Sequence, residues 1–169
     1  SEIRAAALGT LRLTGSETLW DIGAGSGSVS MEAGLLLPRG AVCAVEREGA
    51  RVIQAEANRA RFGCAHVEIL RGEALDVLPT LPRPDRVFIG GSGRDLSQVV
   101  AASRARLSPG GIITASVVTH ASLGTAAGAL RGPSGPPSVL QISCSRSREL
   151  GGSFYFTPLN QVYLVTNTF

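Results

Sequence analysis

A glycine-rich turn is the segment of this chain best suited to bind a ligand. Its residues are Gly23, Ala24, Gly25, Ser26 and Gly27. Glycine tolerates positive φ and lets the backbone approach a ligand without a Cβ atom in the way. The turn follows a short apolar run and precedes a helix-like segment, residues 28–37, whose first amides are free to face the same ligand. The pattern predicts a nucleotide-type cofactor site between a strand and a helix.

The spacing of the glycines distinguishes two classes of cofactor. A dinucleotide fingerprint needs G-x-G-x-x-G, and Ser28 stands where its third glycine belongs, which argues against a nicotinamide cofactor. G-x-G-x-G after an acidic strand residue, here Asp21, resembles the loop of S-adenosylmethionine-dependent methyltransferases. The alternative for the loop taken alone is a tight strand-to-helix turn that binds nothing.

Two acidic residues follow the next predicted strands. Glu46 ends the apolar run 41–45, about 20 residues past the glycine loop, where a carboxylate can accept hydrogen bonds from both ribose hydroxyls. The alternative is a charge that only marks the end of a strand. Glu73 and Ala74 lie in the loop after strand 67–70, and we expect this loop to hold the adenine.

The loop after the fourth predicted strand, residues 86–89, should face the methyl donor and so decide the acceptor. It consists of Gly90, Gly91, Ser92 and Gly93. Enzymes that methylate the exocyclic amines of bases commonly carry Pro-Pro-aromatic here, and this chain does not. We therefore expect the four residues to position the acceptor by close approach, with no catalytic side chain identified among them.

Composition narrows the classes of function further. The 169 residues suit one domain, and all 16 basic residues are arginine, which excludes Walker-type phosphate loops and lysine Schiff-base chemistry. The net charge of +3 is too small to argue for nucleic acid. The three cysteines have no metal-ligand spacing, and no apolar run reaches the roughly 20 residues of a membrane span. We expect a cytoplasmic protein without a metal site, a membrane segment or a nucleic-acid partner.

The order of elements predicts the architecture. Five strand-helix units alternate regularly, and two more strands follow near 139–145 and 161–166. Between these two, an arm rich in arginine and aromatic residues flanks Gly151 and Gly152. The arm is a candidate cover for an anionic, flat substrate or a docking element for a neighbouring subunit; a surface hairpin with buried aromatics is the alternative. The prediction is an α/β, Rossmann-like class I methyltransferase fold, with a mostly parallel seven-stranded sheet and an antiparallel last strand.

A family resemblance rests on motifs spread over almost the whole chain. They are EIR from Glu2, WDIGAGSGSVSMEA from Trp20, VEREG from Val45, GEA from Gly72, FIGGSG from Phe88, LSPGG from Leu107 and VVT from Val117. With these motifs the chain resembles the decarboxylating precorrin-6B carbon-15 methyltransferases, which include the C-terminal half of the bifunctional precorrin-6Y C(5,15)-methyltransferase of cobalamin biosynthesis. His120 stands at a position that looks apolar in that family, so we do not assign it as a catalytic acid.

The resemblance implies a function and its partners. The cofactor would be S-adenosylmethionine, with S-adenosylhomocysteine as product, and the acceptor would be carbon 15 of a precorrin, a tetrapyrrole that loses its carbon-12 acetate carboxyl group as carbon dioxide. Position and charge suggest that Arg94, Arg146 and Arg148 hold the remaining carboxylates. The resemblance also implies a homotetramer and, in a longer chain, an N-terminal carbon-5 methyltransferase domain. The alternatives are a nucleic-acid methyltransferase of the same fold and a non-catalytic module.

Overall fold

Short, mostly apolar runs separated by glycine and proline turns form the central strands of this protein. The computed structural model describes residues 1–91 and 93–169, with the side chain of Arg94 outside the description. The described strands are β1 (Thr18–Ile22), β2 (Ala41–Glu46), β3 (Val67–Arg71), β4 (Arg86–Ile89), β5 (Ile112–Val117), β6 (Ser138–Ile142), β7 (Ser145–Leu150), β8 (Ser153–Pro158) and β9 (Val162–Thr168).

The central sheet has seven strands in the order β3-β2-β1-β4-β5-β9-β6. The pairs from β3 to β5 are parallel, whereas β9 lies antiparallel to both β5 and β6. This confirms the predicted sheet with its antiparallel last strand. The limits of the last two strands differ from the prediction, since β6 stops at Ile142 and β9 continues to Thr168.

Helices cover both faces of this sheet, as parallel strands require. They are α1 (Glu2–Leu11), α2 (Ser28–Leu36), α3 (Gly49–Phe62), α4 (Ala74–Val77), α5 (Leu96–Arg106) and α6 (His120–Ala129). Buried residues of α1 and α2 form one core layer with the sheet, and those of α5 and α6 form the other.

Successive side chains of strand β1 pack into the two different core layers. Leu19 packs into the layer under α1 and α2, whereas Trp20 and Ile22 pack into the layer under α5 and α6. Each of the three side chains is at most 1% exposed. Because β1 lies in the middle of the sheet and is buried on both sides, the loop that follows it starts from a rigid base.

The predicted arm is a separate two-stranded hairpin of β7 and β8. Its tip is Gly151 and Gly152, both with positive φ. The alternative of buried aromatics is wrong, because Phe154, Tyr155 and Phe156 are 70%, 46% and 68% exposed. Two strands alone cannot bury an apolar face, so these side chains stay in solvent within a single chain.

Candidate active site

The glycine loop leaves β1 at the carboxyl edge of the sheet and leads into α2. Gly23, Gly25 and Gly27 all have positive φ, at 71°, 59° and 74°. The amides of Gly23 and Ala24 donate to the carbonyl of Val45 at 2.9 and 3.1 Å. The loop is therefore fixed to the end of β2, as expected of a turn that must hold one shape to bind a ligand.

Glu46 is held at the end of β2 by both of its carboxylate oxygens. Oε2 accepts from the amide of Gly25 at 2.8 Å, and Oε1 accepts from the amide of Glu48 at 2.9 Å. The residue is only 6% exposed. Each oxygen can accept a second hydrogen bond, so the carboxylate is preorganised for a vicinal diol at the cavity beside it.

A cavity of about 600 Å³ opens beside this carboxylate. Its walls come from the ends of β1 to β4 and the loops that follow them. The predicted site residues that line it are Gly23, Gly25, Glu46, Glu73, Ala74, Gly90, Gly91 and Gly93. A cavity of this size, at the carboxyl ends of parallel strands, accommodates a nucleoside-containing ligand.

The walls of this cavity carry more negative than positive charge. Its described lining includes five carboxylates and two guanidinium groups: Glu46, Glu48, Glu73, Asp76, Asp95, Arg47 and Arg51. Arg47 and Glu73 form an ion pair of 3.7 Å between the loops that follow β2 and β3. The excess of carboxylates favours a ligand that carries positive charge.

The loop after β4 contacts the glycine loop backbone to backbone. A Cβ atom built on Gly23 would lie 2.2 Å from the carbonyl oxygen of Gly91, a distance that no real side chain tolerates. Gly90 donates its amide to the carbonyl of Ile22 at 2.9 Å. The two glycine segments that the sequence singled out thus touch each other, although Ser92 lies outside the described residues.

A second, smaller cavity of about 200 Å³ lies on the other side of Gly23 and Gly90. Ile3, Arg4 and Ala7 of α1 line it together with the buried Asp21. Helix α1 borders this cavity and is absent from the described lining of the larger one.

Asp21 is a buried carboxylate that the sequence marked only as part of the glycine motif. Burial raises its pKa to about 6, and the charge of Glu46 adds to the rise although hydrogen bonds from Ser30 oppose it. Ser30, fully buried in α2, donates its hydroxyl to Oδ2 of Asp21. A polar serine on the buried side of α2 was the available sequence signal for this pair.

Three residues of the predicted glycine motif support the loop and do not line the larger cavity. Ala24 lines the smaller cavity. The carbonyl of Ser26 accepts from Asn58 of α3 at 2.9 Å. At Gly27 a Cβ atom would lie 3.2 Å from that of Ala55, so this glycine lets α2 and α3 approach.

The candidate substrate residues Arg146 and Arg148 lie on β7, outside the described lining of both cavities. Arg146 pairs with Glu2 at 2.6 Å, and Arg148 is exposed two residues further along β7. The side chain of Arg94 is outside the described part of the chain. His120 Nε2 and the hydroxyl of Tyr163 are 2.9 Å apart, and neither residue lines either of the two cavities.

Two kinds of feature are absent from the described residues. No group of three or more His, Cys, Asp or Glu side chains there is arranged to hold a metal ion. None of the described helices is both long and apolar enough to cross a membrane.

Nearly the whole chain is similar in sequence to known proteins. The family model described as "Precorrin methyltransferase domain" matches residues 1–168. A Pyrobaculum aerophilum protein named probable cobalt-precorrin-6B C(15)-methyltransferase (decarboxylating) is 38% identical over 98% of this chain and 86% of its own. The precorrin-6Y C(5,15)-methyltransferase [decarboxylating] of a Sinorhizobium species is 32% identical over 93% of this chain and 37% of its own.

The fold is also similar to that of a solved structure. The crystal structure of precorrin-6Y C5,15-methyltransferase from Geobacter metallireducens superposes with a TM-score of 0.90 at 36% identity, covering 98% of this chain and 87% of that one. The Rossmann-like methyltransferase fold predicted from the sequence is confirmed. With the family model spanning nearly every residue, the chain belongs to the precorrin methyltransferase family.

Proposed function

We propose that this chain transfers a methyl group from S-adenosylmethionine to carbon 15 of a precorrin, coupled to decarboxylation of the carbon-12 acetate, in cobalamin biosynthesis. The observation that carries the proposal is the carboxylate of Glu46, fixed by the Gly25 amide beside a cavity of about 600 Å³. The names of the Pyrobaculum and Sinorhizobium relatives supply the acceptor and the loss of carbon dioxide.

The residues of the larger cavity fit the cofactor. Glu46 offers both oxygens to the ribose hydroxyls, while Glu73 and the backbone of Ala74 border the space for the adenine. The excess of carboxylates in the walls suits a ligand with a positive sulfonium. When bound, the cofactor supplies an activated methyl group.

The methionine end of the cofactor belongs, in this proposal, near Gly23 and Asp21. Gly23 lines both cavities, and Asp21 lies behind it in the smaller one. Because its pKa is about 6, Asp21 is mostly ionised at neutral pH and can attract an ammonium group. Ser30 keeps this carboxylate oriented through its hydroxyl.

The chain's own contribution to the chemistry is positioning. Transfer of an activated methyl group needs alignment and short approach, which are worth up to roughly 7–11 kcal/mol in well-oriented systems. Gly90, Gly91 and Gly93 border the larger cavity without side chains that would keep an acceptor at a distance. Arg94, Arg146 and Arg148 are the proposed partners of the substrate carboxylates, and the electrons left by decarboxylation pass into the conjugated macrocycle.

We also propose a homotetramer, an N-terminal domain in a longer chain and a cytoplasmic location. A homotetramer would cover the exposed aromatic side chains of the hairpin, which a single chain leaves in solvent. The N-terminal carbon-5 methyltransferase domain is proposed by analogy with the Sinorhizobium relative, of which this chain matches 37%. Free cysteines at positions 43, 64 and 144 support a cytoplasmic location.

Calorimetric titration with S-adenosylhomocysteine tests the cofactor site. We expect Glu46→Ala to weaken binding at least about thirtyfold, because a charged hydrogen-bond partner worth about 2 kcal/mol is lost. Gly25→Trp should abolish binding, since a large side chain there would fill the cavity. Glu68→Ala, at an exposed position on β3, is the matched control and should bind like the parent.

Turnover tests the acceptor. With methyl-labelled cofactor and precorrin-6B, the parent should incorporate one methyl group for each carbon dioxide released. A parent that binds S-adenosylhomocysteine but leaves the precorrin unchanged would contradict the proposed reaction while leaving the cofactor site intact.

A further inference from the structure

The hairpin of β7 and β8 has two chemically different faces. Residues two apart in a strand share a face, and directly paired residues of neighbouring strands share it too. The register pairs Arg146 with Thr157, Arg148 with Tyr155 and Glu149 with Phe154. One face therefore carries Arg146, Arg148 and Tyr155, and the opposite face carries Phe154 and Phe156.

The arginine face turns toward helix α1. Arg146 Nη2 lies 2.6 Å from Oε2 of Glu2, the first residue of α1, across 144 positions of sequence. The next residues of this helix, Ile3 and Arg4, line the smaller cavity beside Gly23 and Gly90. A surface thus runs from the arginine face over the start of α1 to the glycine segments of the proposed active site.

The arginines on this surface differ in how strongly they are paired with carboxylates. Arg4 pairs with Glu32 through two of its nitrogens, both at 2.7 Å. The side chains of Arg146 and Glu2 are 55% and 54% exposed, and an ion pair so exposed contributes little to stability. Among the described residues, Arg148 has no carboxylate within ion-pair distance.

We propose that Arg146, Arg148 and Tyr155 form the substrate-binding face of the hairpin and that Glu2 competes with a substrate carboxylate for Arg146. Two residues apart on a strand, the arginines are about 7 Å apart along the backbone, a spacing suited to neighbouring carboxylates on one edge of a macrocycle. Tyr155 supplies an aromatic surface beside them. This inference rests on the proposed tetrapyrrole substrate and adds to it a residue, Tyr155, and a competing group, Glu2.

Titration with uroporphyrin, an eight-carboxylate tetrapyrrole, followed by fluorescence in the presence of S-adenosylhomocysteine, tests this face. Arg148→Gln and Tyr155→Leu should each weaken binding, the arginine variant by at least about fivefold because a charge-assisted hydrogen bond is lost. Glu2→Gln should strengthen binding about two- to threefold, since Arg146 no longer has a competing partner. If the Glu2–Arg146 pair only stabilised the structure, Glu2→Gln would weaken uroporphyrin binding or leave it unchanged.

Two controls match these variants in charge. Arg61→Gln, at an exposed site in the last turn of α3, loses one positive charge, and Glu68→Gln on β3 loses one negative charge. Both should bind uroporphyrin within about twofold of the parent, because they test only the screened net charge. The inference is overturned if the parent does not bind uroporphyrin, if Arg148→Gln binds like Arg61→Gln, or if Glu2→Gln binds like Glu68→Gln.

Failure of this inference is distinguishable from failure of the proposed function. Binding of S-adenosylhomocysteine, measured on the same variants, should stay at the parent value because none of the three substituted residues lines the larger cavity. If Arg148→Gln binds the cofactor, turns over the precorrin and binds uroporphyrin as the parent does, the hairpin face does not bind the substrate. The proposed methyltransferase activity would then still stand. Loss of cofactor binding in the parent would instead remove the proposed function.

Discussion

At the residue scale, buried carboxylates in this protein differ because their partners differ. Asp21 and Glu17 are both buried, but the pKa of Asp21 is raised to about 6 whereas the pKa of Glu17 is lowered to about 2. Burial favours the neutral form of both groups, and at Glu17 hydrogen bonds from Thr14 and Gly15 outweigh it. Asp21 receives fewer hydrogen bonds and feels the charge of Glu46. The sequence shows neither the burial of a carboxylate nor the hydrogen bonds that it accepts, so it did not predict that the two pKa values shift in opposite directions.

Glu17 should make folding stability depend on acidity. Its carboxylate accepts from the Thr14 hydroxyl at 2.6 Å and from the amides of Thr14 and Gly15 at 3.0 Å. Because its folded pKa is depressed, its contribution is complete above the unfolded value near 4.5 and is lost as the pH falls toward 2. Glu17→Gln should lower the free energy of unfolding by about 2 kcal/mol at pH 7.

Urea unfolding at two pH values checks this expectation. The difference between parent and Glu17→Gln should shrink to roughly half at pH 3, because the parent carboxylate protonates in the unfolded chain. Glu56→Gln, which removes an exposed pair with Arg59, is the control and should change stability by less than about 1 kcal/mol. An equal loss at pH 3 and pH 7 would show that the ionised form of Glu17 is not what stabilises the fold.

At the element scale, the two glycine segments form one unit. The glycine loop after β1 and the loop after β4 are about 65 residues apart in sequence, yet Gly23 lies against the backbone of Gly91. The sequence predicted each loop from local composition, and it predicted the parallel strands that bring them to one edge. It did not predict their contact, because close approach of two backbones depends on the packing of β1 against β4.

Substitution of these two glycines should give unequal effects. A methyl group at Gly23 would strike the Gly91 carbonyl and also needs positive φ, so Gly23→Ala should lower stability by about 2–4 kcal/mol. At Gly91 the nearest atom to an added Cβ is the Gly23 carbonyl oxygen at 3.8 Å, an ordinary contact. Gly91→Ala should therefore unfold within a few degrees of the parent in a thermal melt. Equal melting temperatures for the two variants would contradict this account of the contact.

The sequence was least informative where partners are far apart along the chain. The alternation of strands and helices, the glycine loop and Glu46 could all be predicted from local sequence patterns. In the structure, Glu46 and residues of the glycine loop line one cavity. The pairing of Arg146 with Glu2 depends on where β7 lies relative to α1. Neither periodicity nor spacing contains that information.

At the scale of the whole molecule, the exposed apolar surface is concentrated at the end of the chain. Val139 and Leu140 of the edge strand β6 are 47% and 44% exposed, and one face of the hairpin adds Phe154 and Phe156. An exposed edge strand next to an exposed apolar hairpin favours association with another copy. This surface is the physical support for the proposed homotetramer.

Removing the aromatic face should dissociate the assembly. We expect the parent to sediment as a tetramer and the double variant Phe154→Ser, Phe156→Ser to sediment as a smaller species, because the apolar area that drives association is lost. Ile53→Ser is the control, since Ile53 is equally exposed, at 72%, but lies on α3 away from the hairpin. Sedimentation velocity at several concentrations measures the result, and a double variant that remains tetrameric would exclude this face as the interface.

The position of β9 between β5 and β6 has a consequence for how the chain is made. Strand β6 is synthesised first, but it reaches the sheet only through β9, the last strand along the chain. While the ribosome is still adding residues 143–161, β5 therefore has an open edge and β6 has no partner in the sheet. The sheet closes only after residues 162–168 have been synthesised, so translation speed and chaperone access while this segment emerges bear on the yield of folded protein.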